Sequence, residues 1–343
     1  MSSPARLAVK VGTRASALAL AQTGLVADRL ADTSALAVEL VRITTDGDRL
    51  TGSLVALGGT GVFVTALRDA LLDGRCDVAV HSLKDLPTGA ADGLVIAAVP
   101  QREDPRDALC SLDGCTLADL PTGARVGTGS PRRAAQLHLA RPDLVVVDIR
   151  GNVDTRLRRV AAGDLDAVVL AAAGLTRLGR LNAASELLDP ATMAPAPGQG
   201  ALAVEARARD VADQDSPLSV ALAALDHAPT RLTVTAERAL LARLEAGCAA
   251  PVGTHTRLGD HRLTLDAVVC RPDGTAQLRR TLAAELPDDP TDLAGRPESA
   301  ARTGSDLSGA GARLRVAARL GADLADLLLA DGAAELAELG PST

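Results

Sequence analysis

The segment HSLKD (81–85) places an imidazole, an ammonium and a carboxylate within five residues. A carboxylate at the mouth of a cationic cleft can stabilise a developing cation or handle a proton. On a strand, alternation sends His81, Leu83 and Asp85 to one side and Ser82 and Lys84 to the other, until the chain turns at Pro87. The plainer alternative is an Asp paired with a nearby Arg, beside a structural histidine. A second candidate is Cys248, in RLEAGCAAPVG (243–253), where a helical run gives way to small residues and a proline. Gly247 suits the position just beyond a helix C-terminus. That end of the dipole disfavours a thiolate, and no His or Lys lies close in sequence to lower the thiol pKa. A one-time covalent attachment or plain burial therefore fits Cys248 better than repeated Cys-His nucleophilic turnover.

Five polar clusters fall at the C-terminal ends of expected strands: GTRAS (12–16), HSLKD, GTGSPRR (127–133), RGNVDTR (150–156) and AAGLTR (172–177). In open α/β sheets, ligands bind outside those ends, often at a following helix N-terminus. Between Arg125 and Arg177 there are nine Arg and five Asp, although the chain is acidic overall. Arg14, Arg132, Arg133, Arg150, Arg156 and Arg177 sit at such turns, and guanidinium forks match carboxylate or phosphate. Ser16, Thr128 and Ser130 add hydroxyls at helix starts. The group suggests a cleft for a polyanion; any one arginine alone would fit a capped, solvated turn. GGTGVF (58–63) is neither G-x-G-x-x-G nor a Walker A motif. It suggests a Gly-rich loop ahead of a helix, with Phe63 either packed in the core or facing a ligand.

The elements that must position these groups alternate. Strands are expected at 7–13, 35–45, 76–85, 93–100, 144–151 and 166–174, and helices at about 16–31, 63–74, from Pro131, and about 154–162. This predicts α/β layers with largely parallel sheets. REDPRDAL (102–109) and MAPAPGQGALAVEAR (193–207) are two Pro/Gly crossings, which suggests a domain inserted between them. After Pro229 come a helix (230–246), a β-hairpin (263–284) turning at Pro272-Asp273-Gly274, a loop or insertion at 287–312, and a final helix (313–330).

The 343 residues allow two or three domains. Trp and Tyr are absent and Phe63 is the single Phe, so the core must be aliphatic. Lys10 and Lys84 are the only lysines, so Arg-for-Lys choices carry little meaning. A net charge of −7 argues against a general nucleic-acid or membrane-surface binder. No apolar run approaches the roughly 18–20 residues that span a bilayer. SALALAQ (16–22) resembles a signal cleavage site but has no continuous apolar core before it, which points to the cytoplasm. Cys76, Cys110, Cys115, Cys248 and Cys270 make an odd, widely spaced set without a zinc pattern, so no metal is expected.

Taken together, these stretches resemble the porphobilinogen deaminase (hydroxymethylbilane synthase) family. The likeness runs in order through GTRASALAL, GG-x-GVF, HSLKDLP, REDPRDAL, VGTGSPRR, RPDL, RGNVDTRL, LAAAGLTRLG, PGQGA and TAERALLARLEAGC, over about residues 6–255. It implies three α/β domains. The first two resemble a type II periplasmic-binding-protein two-lobed fold, with hinges near 101–105 and 195–200, and the third is a small α/β domain with an antiparallel sheet. The implied boundaries are 1–101 plus 198–226, 102–197, and 227–343. The resemblance further implies stepwise head-to-tail condensation of four porphobilinogen units with release of ammonia. The chain grows on a dipyrromethane cofactor joined through a thioether to Cys248, in tetrapyrrole biosynthesis.

Asp85 would contact pyrrole N–H groups and stabilise the cation formed as ammonia leaves. Arg14, Lys84, Arg150 and Arg156 would assist catalysis. Ser16, Lys84, Asp85, Thr128, Ser130, Arg132, Arg133 and Arg150 would hold the cofactor. Arg14, Phe63, Arg150, Arg156, Arg177 and Gln199 would bind substrate, with the arginines receiving acetate and propionate groups. A monomer is implied, passing hydroxymethylbilane to uroporphyrinogen-III synthase. Departures from the family pattern are Thr60 and Ala56 where lysines are common, and Gly129 and Pro131 beside the Arg pair. Two rivals are a two-lobed solute- or effector-binding protein without catalysis, and a transferase using Cys248 transiently.

Overall fold

The computed structural model describes residues 8–34, 36–43, 61–247, 250–288 and 304–339, with side chains described in all of these except 61–63 and 304–310. It divides into two compact units. One comprises Met1–Leu120, Gly151–Leu188 and Gln199–Thr230; the other comprises Pro121–Arg150, Asp189–Gly198 and Arg231–Thr343.

In the first unit, β1 (Ala8–Thr13), β2 (Ala37–Arg42), β3 (Val78–Ser82), β4 (Leu94–Ala98) and β10 (Leu202–Arg207) form one sheet, ordered β2-β1-β3-β10-β4. β1 runs parallel to β2 and β3, but β10 runs antiparallel to β3 and β4. The expectation of largely parallel sheets is corrected here. The crossing that ends at Ala201 delivers the chain at the C-terminal end of β3, with Leu202 opposite Ser82, so the strand must run back along it. β10 is buried at every position, as a central strand covered on both faces should be. α1 (Ala17–Thr33) and α6 (Pro217–Leu225) cover one face through Val26, Leu30 and Leu222, against Val78, Val80 and Val204. α2 (Gly61–Leu72) covers the other through Leu67 and Leu71, against Cys76 and Ala79.

The same unit holds β5 (Asp107–Ser111), antiparallel to both β8 (Ala167–Ala171) and β9 (Glu186–Leu187). α4 (Val153–Ala161) precedes β8, and α5 (Ala172–Arg177) follows it without a break. The strand expected over 166–174 thus ends at Ala171, and Gly174 is helical.

In the second unit, β6 (Arg125–Gly127) pairs in parallel with β7 (Val145–Val147) across α3 (Pro131–Ala140). α7 (Ala228–Arg243) leads to an antiparallel sheet of β11 (Val252–Leu258), β12 (Arg262–Cys270) and β13 (Gln277–Glu285). Arg271 N–H donates to Ala276 O at 2.9 Å across the expected Pro-Asp-Gly turn. α8 (Gly304–Ala330) and α9 (Ala333–Leu336) close the unit. α8 begins nine residues before the expected Arg313, so 304–312 is helical and not loop. The three Gly in this stretch each cost about 1 kcal/mol against Ala in a helix, a propensity that tertiary context overrides. Residues 289–303 lie outside the described set.

Alternation along β12 separates two clusters. Leu263, Leu265, Ala267 and Val269 join Leu240, Leu320, Leu324 and Leu328 of α7 and α8. Val268 and Cys270 join Ala135 of α3 and Ala194. The first cluster is wholly aliphatic, so packing distance must substitute for aromatic bulk. At Gly321 an added Cβ would lie 2.1 Å from Ala236 O and 2.8 Å from Leu240 N. Gly321→Ala gains up to about 1 kcal/mol of helix propensity, but overpacking against rigid backbone costs about 1–3 kcal/mol. The net expectation is a loss of up to about 2 kcal/mol, read as a lowered urea midpoint. A raised midpoint would contradict the close helix crossing.

Candidate active site

At the end of β1 lies the half-buried Arg14, and Ser16 caps α1 by accepting from Ala19 N–H at 3.3 Å. β3 stops at Ser82, and Leu83–Asp85 closes a single 3-10 turn. This corrects the strand reading of HSLKD: alternation ends before Leu83, so Lys84 and Asp85 are consecutive residues of a turn. The turn forms because Leu83 is fully buried and its N–H donates to Ala201 O at 3.0 Å, while Leu86 N–H returns to Leu83 O at 3.2 Å. Lys84 and Asp85 remain half-buried beside it.

Lys84 Nζ donates to Gln199 Oε1 at 3.3 Å. The Gln199 amide N–H groups are spent on Pro105 O at 2.7 Å and Asp107 Oδ1 at 2.8 Å. Arg102 Nε donates to Gln199 O at 2.7 Å, Glu103 N–H to Gly200 O at 3.2 Å, and Arg177 Nη2 to the same Gly200 O at 2.6 Å. Lys84, Gln199 and Arg177 therefore converge on the 199–200 crossing, where two of the three make bonds that hold the backbone. Burial, with Arg29 adding to it and Glu103 opposing, holds the Arg177 guanidinium below its ordinary pKa. Arg156, in the first turn of α4, donates from Nε to Gly151 O at 2.9 Å. Asn152 caps that helix by accepting from Thr155 N–H at 2.9 Å.

In the other unit, the β6–α3 turn carries Thr128, Ser130, Arg132 and Arg133. Thr128 N–H donates to Val147 O at 3.0 Å, and Ser130 accepts from Arg133 N–H at 3.4 Å as the α3 cap. Pro131 occupies the first helical turn, where its missing N–H costs nothing. At Gly129 an added Cβ would lie 2.5 Å from Ile149 O, so the backbones approach too closely for a side chain. These two features accommodate Gly129 and Pro131, two of the four departures from the family pattern; Ala56 and Thr60 lie outside the described residues. Arg132 and Arg133 are both buried. Arg132 Nη1 donates to Ala194 O, which also accepts from Gln136 Nε2 at 3.1 Å. Arg150 is 47% exposed, and its Nη2 lies 3.8 Å from Asp148, itself 70% exposed. Its guanidinium is thus loosely held.

α7 ends at Arg243, three residues before the expected end at 246. Glu245 N–H bonds Ala242 O at 3.1 Å, Ala246 N–H bonds Leu241 O at 3.2 Å, and Glu245 takes the left-handed conformation with φ 51°. The Schellman stop thus falls on an exposed Glu two residues before the expected glycine. Cys248, residues 56–60 and the side chain of Phe63 lie outside the described residues. Among the described cysteines, Cys76, Cys110 and Cys270 are buried, and burial pushes the thiols of Cys76 and Cys270 up to about 11.

Besides Asp107, which accepts from Gln199, two more buried acids were not anticipated. Glu237 of α7 accepts from Gly198 N–H at 2.7 Å. Glu205 of β10 contacts Arg68 and His81. Burial pushes its carboxyl up, but the adjacent His81 imidazole and the hydrogen bonds from Arg68 outweigh this and hold it below its ordinary value of 4.5. The signal was a lone acid inside an otherwise apolar run, ALAVEA, which demands a buried partner. Among the described residues no cluster of three His, Cys, Asp or Glu could hold a metal, and no helix is long and apolar enough to cross a membrane.

The elements define a mixed α/β protein whose strand ends present guanidinium groups, an ammonium and one half-buried carboxylate. That is the equipment for a ligand rich in carboxylates. The chain belongs to the porphobilinogen deaminase family: residues 9–215 match "Porphobilinogen deaminase, dipyromethane cofactor binding domain", and 231–297 match its C-terminal domain. It is similar to the porphobilinogen deaminase of Leifsonia xyli subsp. xyli, 56% identical over 97% of this chain and 95% of that one. Those of Micrococcus luteus (52%, covering 95% and 93%) and Cutibacterium acnes (51%, covering 98% of both) are also similar. Among solved structures, lipoprotein Tp32 of Treponema pallidum overlaps with a TM-score of 0.41 at 14% identity, covering 65% of this chain and 92% of that one.

Proposed function

We propose that this chain joins four porphobilinogen units head to tail, releasing ammonia with each, and yields hydroxymethylbilane. The observation that carries the reading is the Lys84–Asp85 turn, a half-buried carboxylate and ammonium at the end of β3, in a chain of this family. The residues present fit a dipyrromethane in their chemistry. Its four carboxylates call for guanidinium donors, and the loosely paired Arg150 is such a donor. Thr128, Ser130, Arg132 and Arg133 on the α3 turn, with Ser16, Lys84 and Asp85, would hold the rest, and Cys248 would carry the thioether. When bound, the dipyrromethane supplies the free pyrrole end to which each unit is joined.

In this reading Asp85 accepts pyrrole N–H bonds and offsets the positive charge that develops on porphobilinogen as its amine leaves. Lys84 keeps the turn tied to Gln199. Arg14, Arg156 and Arg177 receive acetate and propionate groups of the incoming unit, with Gln199 and Phe63 beside them. Arg177 would have to exchange its Gly200 bond to do so. We further propose three domains, 1–101 plus 198–226, 102–197 and 227–343, with hinges near 101–105 and 195–200. In support, β1 to β4 with β10 form one sheet, and β11 to β13 form another. The compact units divide 102–197 differently, assigning 121–150 and 189–197 with the C-terminal residues. A cytoplasmic monomer that hands its product to uroporphyrinogen-III synthase completes the proposal. A non-catalytic binding protein is not favoured, because the family match continues through the C-terminal domain.

The direct test supplies porphobilinogen and follows ammonia and hydroxymethylbilane; neither appearing would sink the reading. Within it, Arg150→Ala removes a charge-assisted pair worth about 1.5–3 kcal/mol. The expected result is a rise in KM of roughly 10- to 100-fold, or a pile-up of partly elongated enzyme in mass spectra. An unchanged KM and chain-length profile would count against Arg150 as a carboxylate donor.

A further inference from the structure

Two buried polar side chains, Glu205 and His81, meet the half-buried Arg68 between α2 and the first sheet. Glu205 is 2% exposed and His81 4%. Arg68 of α2 grips the Glu205 carboxylate with Nη2 at 2.7 Å from Oε1 and Nε at 3.1 Å from Oε2. His81 Nε2 lies 3.1 Å from the same Oε2. The register explains the meeting. His81 is opposite Ala203 and Glu205 opposite Ala79, so the two are diagonal neighbours on one face of the β3–β10 pair.

Such a cluster is costly. Desolvating a carboxylate takes several kcal/mol, and apolar residues of similar size would fill the space without it. What an ionic cluster provides in exchange is a single register, since a slip would leave the acid buried and unpaired. β10 is buried along its length, so Glu205 has no short path to water.

The same two strands set the position of the turn. His81 is followed by Ser82 at the end of β3, and Leu83 is held by Ala201 O just before β10 begins. A shift of β3 along β10 therefore carries Lys84 and Asp85 with it. Farther along the same face of β10, Arg207 binds Leu71 O and, at 2.6 Å, Cys76 O, which fixes the other end of β3. We infer that the Arg68–Glu205–His81 triad is a positioning device for Asp85, locking β3 against β10 so that the carboxylate meets the reacting carbon. The inference rests on the catalytic reading of Asp85.

The test uses cofactor-loaded enzyme, with loading checked by intact mass. Glu205→Gln keeps the shape and removes the charge. It is expected to lower kcat roughly 10- to 100-fold with KM little changed, as sub-ångström to 1 Å misplacement does. In an Asp85→Glu background, where the carboxylate is already displaced, the same change should cost less than about twofold. Leu222→Ala, an α6 core variant, serves as the stability control and should leave kcat near native. If Glu205→Gln does not fold, His81→Asn removes one partner and is read in the same two backgrounds. Equal losses in both backgrounds, or a native kcat for the triad variant, would overturn the inference. Native turnover by Asp85→Glu would instead overturn the catalytic reading of Asp85 itself.

Discussion

Asp85→Ala is expected to abolish most porphobilinogen turnover, by about 10²–10³-fold in kcat, with the fold retained. The magnitude is that of removing one preorganised electrostatic partner from a developing charge, about 2.7–4 kcal/mol. The fold should survive because the turn does not depend on the carboxylate. Leu83 is buried and bonded to Ala201, and Lys84 is bonded to Gln199. KM should move little, since the arginines and not Asp85 receive the substrate's carboxylates in this account. Asp85→Asn should fall close to Ala, because the amide can still hydrogen-bond but carries no charge. Circular dichroism with ammonia-release kinetics checks both halves of the expectation. Near-normal turnover in either variant would remove Asp85 from its assigned role.

Cys248→Ser is the second large effect. A tethered primer turns each condensation into a reaction within one complex, and effective molarities for such arrangements are very high, on the order of 10⁵–10⁸ M at best. Losing the tether should therefore cost at least about a hundredfold in product formation. α7 stops cleanly at a Schellman motif whose left-handed residue is Glu245, so the chain toward 248 begins from a defined point. Serine preserves size and local backbone, so the loss can be assigned to the missing thioether. A serine variant that made product at the native rate would exclude the anchor.

Much of the scaffold was legible where a local chemical signal marked it. Ser16 and Ser130, the latter with Pro131, each start a helix as caps, and Pro272-Asp273-Gly274 turns a hairpin. The errors fell where tertiary contacts overrule local pattern. HSLKD alternates like a strand, yet burial of Leu83 and its bond to Ala201 tighten it into a 3-10 turn. Gly247 was the natural helix stop, but a non-glycine, Glu245, adopts the left-handed conformation instead. The antiparallel course of β10 follows from where a long crossing re-enters the sheet, which no local window records.

The arginines show the same limit. Their types and turn positions were visible in the sequence. Their present partners were not: Arg132 donates to Ala194, Arg177 to Gly200, and Arg150 stands nearly free beside an exposed Asp148.

The proposed activity rests on a primer covalently held at Cys248. Intact-mass measurement of the purified protein tests it most directly. The wild-type mass is expected to exceed that of the bare polypeptide by two linked pyrrole units, and Cys248→Ser to show the bare polypeptide mass. An unmodified wild-type chain that nonetheless makes hydroxymethylbilane would contradict it.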